Sequence, residues 1–241
     1  MSSLNKLNDI AIQAGKIILG YYNTNCRLEN KEDASPVTLA DLEANEYIVG
    51  RLAAEFPDIP IVSEEGAKDR RGCDTFFLVD PLDGTKAFIN GGGQFTVNIG
   101  LVKGFKAFAG VVYIPVKDAL YFSDGKRSYK NGAQINCRQV PEGGMVVVAS
   151  KSHRSVETDE FIAKLKVKEL ISAESSAKFC VVAEGLADIY PRFGRTMEWD
   201  TAAGQAVLQT AGGKVTHPDG GEFLYGKNDI FENGWFVASG L

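Results

Sequence analysis

Apolar residues recur at helical spacing through Leu4, Leu7, Ile10, Ala11, Ala14, Ile17, Ile18 and Tyr21, which predicts an amphipathic helix at the N-terminus. The stretch 23–36 is polar and charged and ends in Ser-Pro, so it reads as an exposed, mobile loop. Thr38 caps a second predicted helix, with Leu42, Tyr47 or Ile48, and Leu52 on its inner side, closed by Pro57 and Pro60. A short apolar run, Ile61-Val62, leads to Ser63-Glu64-Glu65-Gly66, and a charged loop covers 68–74. An apolar strand at 75–79 then runs directly into Asp80. Pro81 fixes its own φ and lacks an N–H, so the reading is that the chain leaves the sheet there as a rigid turn. Gly84 lets the backbone pass close to whatever sits beside it, and Thr85-Lys86 begin a short helix.

Further along, Phe95, Val97, Ile99 and Leu101 alternate with Thr96, Asn98 and Gly100, a strand signal that 107–113 and 119–122 continue. Antiparallel strands in succession therefore form a sheet. Residues 145–149 read as a compact buried strand, 156–165 and 175–185 as helices, and 187–190 as a strand ending at Pro191-Arg192. Glu198-Trp199-Asp200 precedes a helix with a small-residue face, Ala202, Ala203 and Ala206, stopped by Gly212-Gly213. A last strand covers 235–238. Helices and strands come in grouped runs, which predicts a layered α+β fold with a more α/β-like C-terminal part. The seam falls near 141–145, giving an N-terminal half, 1–141, with the candidate metal-binding turn, and a C-terminal half, 142–241, with further ligand contacts.

Composition narrows the function classes. The 241 residues can bury a substantial core, and 44% hydrophobic with 24% charged content is ordinary for a globular chain. A net charge of −5 without a basic stripe argues against a nucleic-acid polymer as partner. No apolar run approaches the roughly 20 residues of a membrane span, and no secretory start is present, so a cytoplasmic protein is expected. A homodimer, and attachment at the periphery of the inner membrane, are compatible with the sequence. Cys26, Cys73, Cys137 and Cys180 lack paired spacing and read as free thiols.

Four carboxylates, Glu64, Asp80, Asp83 and Asp200, stand at element boundaries, where side chains can converge on a cleft. Brought together they would repel one another unless cations intervened. Oxygen-only donors select Mg²⁺ over zinc or copper, and magnesium takes phosphate oxygens. The alternative is four unrelated surface acids. Asp41, alone, reads as an acid complementing a helix dipole, and His153 as a structural or solvated residue.

Three motifs add to this reading: SEEG at 63–66, VDPLDGTKAF at 79–88 and EWDTAAGQAVLQTAGG at 198–213. In this order they resemble the signatures of the lithium-sensitive, Mg²⁺-dependent phosphatase superfamily, which includes inositol monophosphatases and 3′(2′),5′-bisphosphate nucleotidases. The resemblance implies a layered α-β-α-β-α sandwich of the inositol monophosphatase and fructose-1,6-bisphosphatase type. It implies two or three Mg²⁺ ions, with Glu64, Asp80, Asp83, Asp200 and the Leu82 carbonyl as ligands. By the same resemblance Thr85 holds the attacking water, Asp41 accepts from Thr85 or touches a third ion, and the Gly84 and Thr85 amides hold the scissile phosphate.

Inositol monophosphatases place an acid just after the strand that here ends in Tyr190-Pro191, whereas this chain has Arg192. Lys86 within DGTK, Ser175 to Cys180, and Tyr190 to Gly194 resemble the bisphosphate nucleotidase pattern. That resemblance implies adenosine 3′,5′-bisphosphate as substrate, with Ser175, Lys178 and Arg192 on its 5′-phosphate and His153 flanking the nucleoside. The alternatives are an inositol-1-monophosphatase or related sugar phosphatase, and a non-catalytic phospho-ligand binding protein. The chain departs from longer relatives in lacking extra residues before Glu64 and in its glycine-rich 90–93.

Overall fold

Two helices lead the chain, α1 (Asn5–Tyr21) and α2 (Leu39–Glu55), and pack on each other and on one sheet. The computed structural model describes residues 5–24, 28–30, 36–150, 154–227 and 229–240. Helix α1 buries Leu7, Ile10, Ala11, Ala14 and Ile18, the stripe its periodicity predicts. In α2 the inner line is Ala40, Ala44, Ile48 and Leu52, a strict i, i+4 row. Leu42 sits two residues off that row and is 42% exposed, which corrects its assignment to the inner side. Strands β1 (Leu28–Asn30) and β2 (Pro36–Thr38) pair antiparallel within the stretch read as loop; residues 25–27 and 31–35 lie outside the described residues.

A seven-stranded sheet follows in chain order: β3 (Ile61–Ser63), β4 (Phe76–Asp83), β5 (Thr96–Lys103), β6 (Lys106–Ile114), β7 (Ala119–Ser123), β8 (Ser128–Lys130) and β9 (Ala133–Ile135). Only β3 and β4 are parallel; the others are antiparallel neighbours, as the alternating pattern predicts. The short helix α3 (Thr85–Ile89) links β4 to the glycine-rich segment before β5. The remainder contributes β10 (Met145–Ala149), α4 (Val156–Ala163), β11 (Val167–Ser172), α5 (Ala177–Ala183), β12 (Ile189–Arg192), α6 (Glu198–Thr210), β13 (Lys214–Thr216) and β14 (Phe236–Ser239). Its sheet runs β11-β10-β12-β14-β13. Parallel pairing of β10 with β11 and β12 requires the crossovers that α4 and α5 supply.

Residue parity sorts the layers. On β4, Phe77 and Val79 face α1 and α2, while Phe76 and Leu78 enter the second core with α5 and α6. Helices α5 and α6 thus lie between the sheets, and α4 packs outside on β12 through Phe161 and Phe193. The result is the layered α-β-α-β-α sandwich. Contact between α6 and the large sheet is unusually close at Gly100 and Gly110, which are directly paired on β5 and β6. A Cβ at Gly100 would lie 2.8 Å from the Ala202 methyl, and one at Gly110 2.8 Å from the Ala203 Cα. The small-residue face of α6 therefore meets the sheet at a pair of glycines, which seats the helix that carries Asp200 close against β5 and β6.

Candidate active site

Asp80 and Asp83 are three residues apart, and in an unbroken strand they would point to opposite faces of the sheet. The chain does not turn away at Pro81, as the sequence suggests; β4 continues to Asp83 with a register irregularity between the two acids. Asp80 pairs with Asn98 and Asp83 with Thr96, so four residues of β4 oppose three of β5. Asn98 and Thr96 share one face, and the bulge therefore turns both carboxylates to the same side. Proline is tolerated where the ladder is already interrupted. The Leu82 amide donates to Asp80 Oδ1 at 3.0 Å, holding the bulge together.

Three further acids approach from other elements. Glu64 follows β3, whose parallel pairing with β4 is extended by the Glu64 amide donating to the Val79 carbonyl at 3.0 Å. Lys68 donates to the Glu64 carbonyl at 3.1 Å and lies over the Trp199 ring, pinning this loop beside the start of α6. Asp200 is in the first turn of α6, and its Oδ2 accepts from the Met197 amide at 2.8 Å. Asp41 is in the first turn of α2, buried, with Oδ2 accepting from Thr38 N (2.8 Å) and Thr38 Oγ1 (2.6 Å). Thr85 Oγ1 lies 3.2 Å from both Asp41 Oδ1 and the Leu82 carbonyl, linking three of the predicted site residues.

Carboxylate oxygens of Glu64, Asp80 and Asp200 all fall within 4.8 Å of one another. Asp83 stands beside them, its Oδ2 receiving the Ser176 amide at 2.6 Å and the Asn98 side-chain amide at 3.4 Å. Burial raises the Asp80 carboxyl well above the usual carboxylate range, and the charges of Glu64, Asp83, Asp200 and Asp41 push in the same direction. Burial likewise raises Asp200, with Asp83 and Glu64 adding to it. Asp83 is raised by burial, against the opposing pull of Lys178 and the Ser176 amide. Asp41 is raised by burial too. Buried like charges of this density are the arrangement a hard cation relieves, and the donors are all oxygen. The residues fit divalent cations of the magnesium type.

Glu64, Asp83 and Asp200 open onto a cavity of about 610 Å³ that Lys178 and Arg192 also line. Glu64, Asp83, Gly84, Thr85, Lys86 and Asp200 line it together with Glu174, Ser175, Lys178 and Arg192. Gly84 precedes α3 with φ of 95°, a left-handed conformation natural to glycine. Ser175 adopts φ of 51° and its hydroxyl donates to the Gln94 carbonyl at 3.2 Å. Lys178 is buried, lies over the Tyr190 ring and donates to the Ser175 carbonyl at 2.6 Å. Burial pushes its ammonium down to about 8, against the attraction of Asp83 and Glu174. Arg192 leaves the end of β12, and its Nη2 donates to the Arg195 carbonyl at 3.1 Å. Of the other predicted site residues, Asp80 joins Glu64 and Asp200 in the acid cluster, Asp41 and Leu82 reach the cavity through Thr85, and His153 lies outside the described residues. Sequence reasoning missed Glu174 and Arg195 and gave no role to Ser176 and Tyr190 within their motifs; all four also line the cavity.

An α-β-α-β-α sandwich with an acid cluster at the ends of its strands defines a class, the metal-dependent phosphatases of this fold. The chain belongs to the inositol monophosphatase family, whose profile matches residues 2–239. Within that family it is 40% identical over 245 residues to the 3′(2′),5′-bisphosphate nucleotidase CysQ of Escherichia coli K12, covering 98% of this chain and 99% of the relative. The protein of the same name from Haemophilus influenzae is 31% identical over 98% of this chain and 92% of its own length. The crystal structure of CysQ from Bacteroides thetaiotaomicron superposes with a TM-score of 0.87 at 39% identity, covering 99% of this chain and 97% of that one. An IMPase of Thermotoga maritima gives a TM-score of 0.83 at 25% identity, over 99% and 92% of the two chains. No helix among the described residues is long and apolar enough to cross a membrane.

Proposed function

We infer that this protein is a 3′(2′),5′-bisphosphate nucleotidase that hydrolyses adenosine 3′,5′-bisphosphate to AMP and phosphate. The observation that carries the reading is a partly buried carboxylate cluster at a cavity that Lys178 and Arg192 also line. Acids alone would suit any phosphomonoester. Cationic groups at the same cavity suit a substrate with another phosphate, and Arg192 can meet it with a planar, two-pronged donor set. The full-length relationship to CysQ nucleotidases supports the same substrate.

Glu64, Asp80, Asp83, Asp200 and the Leu82 carbonyl would hold two or three Mg²⁺ ions. When bound, such ions polarise water and offset the negative charge of the phosphoryl group. The chain's own residues do the rest. The Thr85 hydroxyl donates to Asp41, so its oxygen is open to a hydrogen bond from the attacking water, and as that proton moves to Thr85 the hydroxyl's own proton passes to the Asp41 carboxylate. The amides of Gly84 and Thr85, with Lys86, position the 3′-phosphate at the start of α3. Ser175, Lys178 and Arg192 hold the 5′-phosphate, so the scissile ester is fixed at both ends. His153 would flank the nucleoside.

Phosphate release from adenosine 3′,5′-bisphosphate and from inositol 1-phosphate, each with Mg²⁺ and with EDTA, tests this reading. The expected result is Mg²⁺-dependent release with higher kcat/KM on the nucleotide. Preference for inositol 1-phosphate would return the protein to the monophosphatase branch, and binding without release would make it a phospho-ligand binder.

A further inference from the structure

One buried polar group at the cavity has no part in the chemistry above, although it touches the acid cluster directly. Ser176 precedes α5, in the part of the chain that bears Lys178 and Arg192, and Asp83 ends β4 in the other sheet. The Ser176 amide donates to Asp83 Oδ2 at 2.6 Å. Its hydroxyl donates to Asn98 Oδ1 at 2.6 Å and lies 2.9 Å from the Thr96 hydroxyl. The Asn98 side-chain amide, whose carbonyl is thereby fixed, donates to the same Asp83 Oδ2 at 3.4 Å, with Thr96 Oγ1 at 3.5 Å. Ser176, Asn98 and Thr96 are all buried, so each polar atom is costly unless paired, and the ring of bonds pairs them.

We propose that Ser176 is a positioning residue for Asp83: its amide and, through Asn98, its hydroxyl hold Oδ2, which would leave Oδ1 to meet a bound cation. The inference rests on the function proposed above for its substrates, but its primary readout is cation affinity. Because β4 carries a bulge at this point, its own ladder does not fix the Asp83 side chain. The orientation comes instead from the residue that precedes α5. One short bridge therefore sets both the acid and the start of the helix that holds Lys178.

Removal of such an outer partner typically costs about 10–100-fold in metal affinity or activity. For Ser176→Ala, calorimetric titration with Mg²⁺ is expected to show affinity reduced about tenfold, with kcat lowered to a similar extent on adenosine 3′,5′-bisphosphate and on adenosine 3′-monophosphate. KM for the bisphosphate should change less than about twofold, since Lys178 and Arg192 remain. Asn98→Ala should give the same pattern, and the double variant should be no worse than Asn98→Ala, because the hydroxyl acts through the amide. Unchanged Mg²⁺ affinity in both single variants, a loss confined to KM for the bisphosphate, or strictly additive losses would each overturn the proposal. A wild-type protein that binds Mg²⁺ and releases no phosphate would instead defeat the proposed function, while the titration would still decide the role of Ser176.

Discussion

Asp41 and Asp200 hold equivalent places in two different helices. Each is the third residue of its helix, and each returns one carboxylate oxygen 2.8 Å to the backbone amide of the residue preceding the helix, Thr38 or Met197. A backward cap of this kind satisfies the amide of the residue before the helix and locks the carboxylate rotamer. The second oxygen is then held in a fixed direction, which for Asp41 is the Thr85 hydroxyl. Both acids therefore stabilise a helix start and furnish the cleft at once.

Asp200→Asn separates these two duties. The amide oxygen of asparagine can still accept from Met197, so the fold and the start of α6 should survive. Loss of the charge should lower kcat/KM by at least about 100-fold. Circular dichroism and steady-state phosphate release would check both halves of this expectation. Asp200→Ala should additionally cost about 1 kcal/mol through the lost cap.

The raised carboxyl groups make stability depend on pH in a defined direction. Asp80, Asp83, Asp200 and Asp41 all have folded-state values above their ordinary ones, so the fold favours their protonated forms. That stabilisation is complete below the usual carboxylate value, about 4, and is lost as pH rises through the elevated values. In EDTA, Tm should therefore fall on going from mildly acidic to neutral pH. Mg²⁺ replaces the protons, so the rise in Tm on adding it should be larger at pH 8 than at pH 5.

Asp80→Asn should trade function for stability. The asparagine side-chain oxygen can keep the bond to the Leu82 amide while the substitution removes one buried charge from a crowd of acids. Tm measured in EDTA should rise by about 2–4 °C for each kcal/mol of repulsion relieved. The stabilisation by Mg²⁺ should largely disappear, and phosphate release should fall to background.

Gly110→Ala tests the seat of α6. The added methyl would stand 2.8 Å from the Ala203 Cα, a backbone atom that cannot move aside cheaply. Overpacking of this kind costs about 1–3 kcal/mol. A lowered denaturant midpoint with an unchanged m-value is the expected result, and it would show that the helix bearing Asp200 depends on the glycine pair.

The fold and the acids were legible in the sequence to different depths. Periodicity located α1, α2, α6 and the run of strands β5 to β7, because each buries a regular face. The strand β11 escaped notice: Val167–Ser172 lies at the sheet edge, is largely exposed, and carries lysine and glutamate where a buried strand would carry apolar residues. The motif acids stood out by residue type, but the bulge that turns Asp80 and Asp83 to one side did not. Pro81 reads the same way in a turn and in a bulge, and only the pairing of Asp80 with Asn98 and Asp83 with Thr96 distinguishes them. Ser176 stood inside a recognised motif, but its role was hidden for a related reason. A serine before a helix reads as a cap, whereas this one spends its amide on Asp83 and its hydroxyl on Asn98, residues far away in the chain.

The central claim is that one cavity joins a cation-holding acid cluster to cationic groups reading a second phosphate. Its most direct test is the ratio of kcat/KM for adenosine 3′,5′-bisphosphate to that for adenosine 3′-monophosphate, measured with Mg²⁺ on the wild type and on Arg192→Met. The predicted ratio is at least about tenfold in the wild type, one charge-assisted contact being worth about 1.5–3 kcal/mol, and it falls by about tenfold or more in the variant, where Lys178 and Ser175 remain, with monophosphate turnover retained. A wild-type ratio near one, or equal losses on both substrates in Arg192→Met, would contradict it.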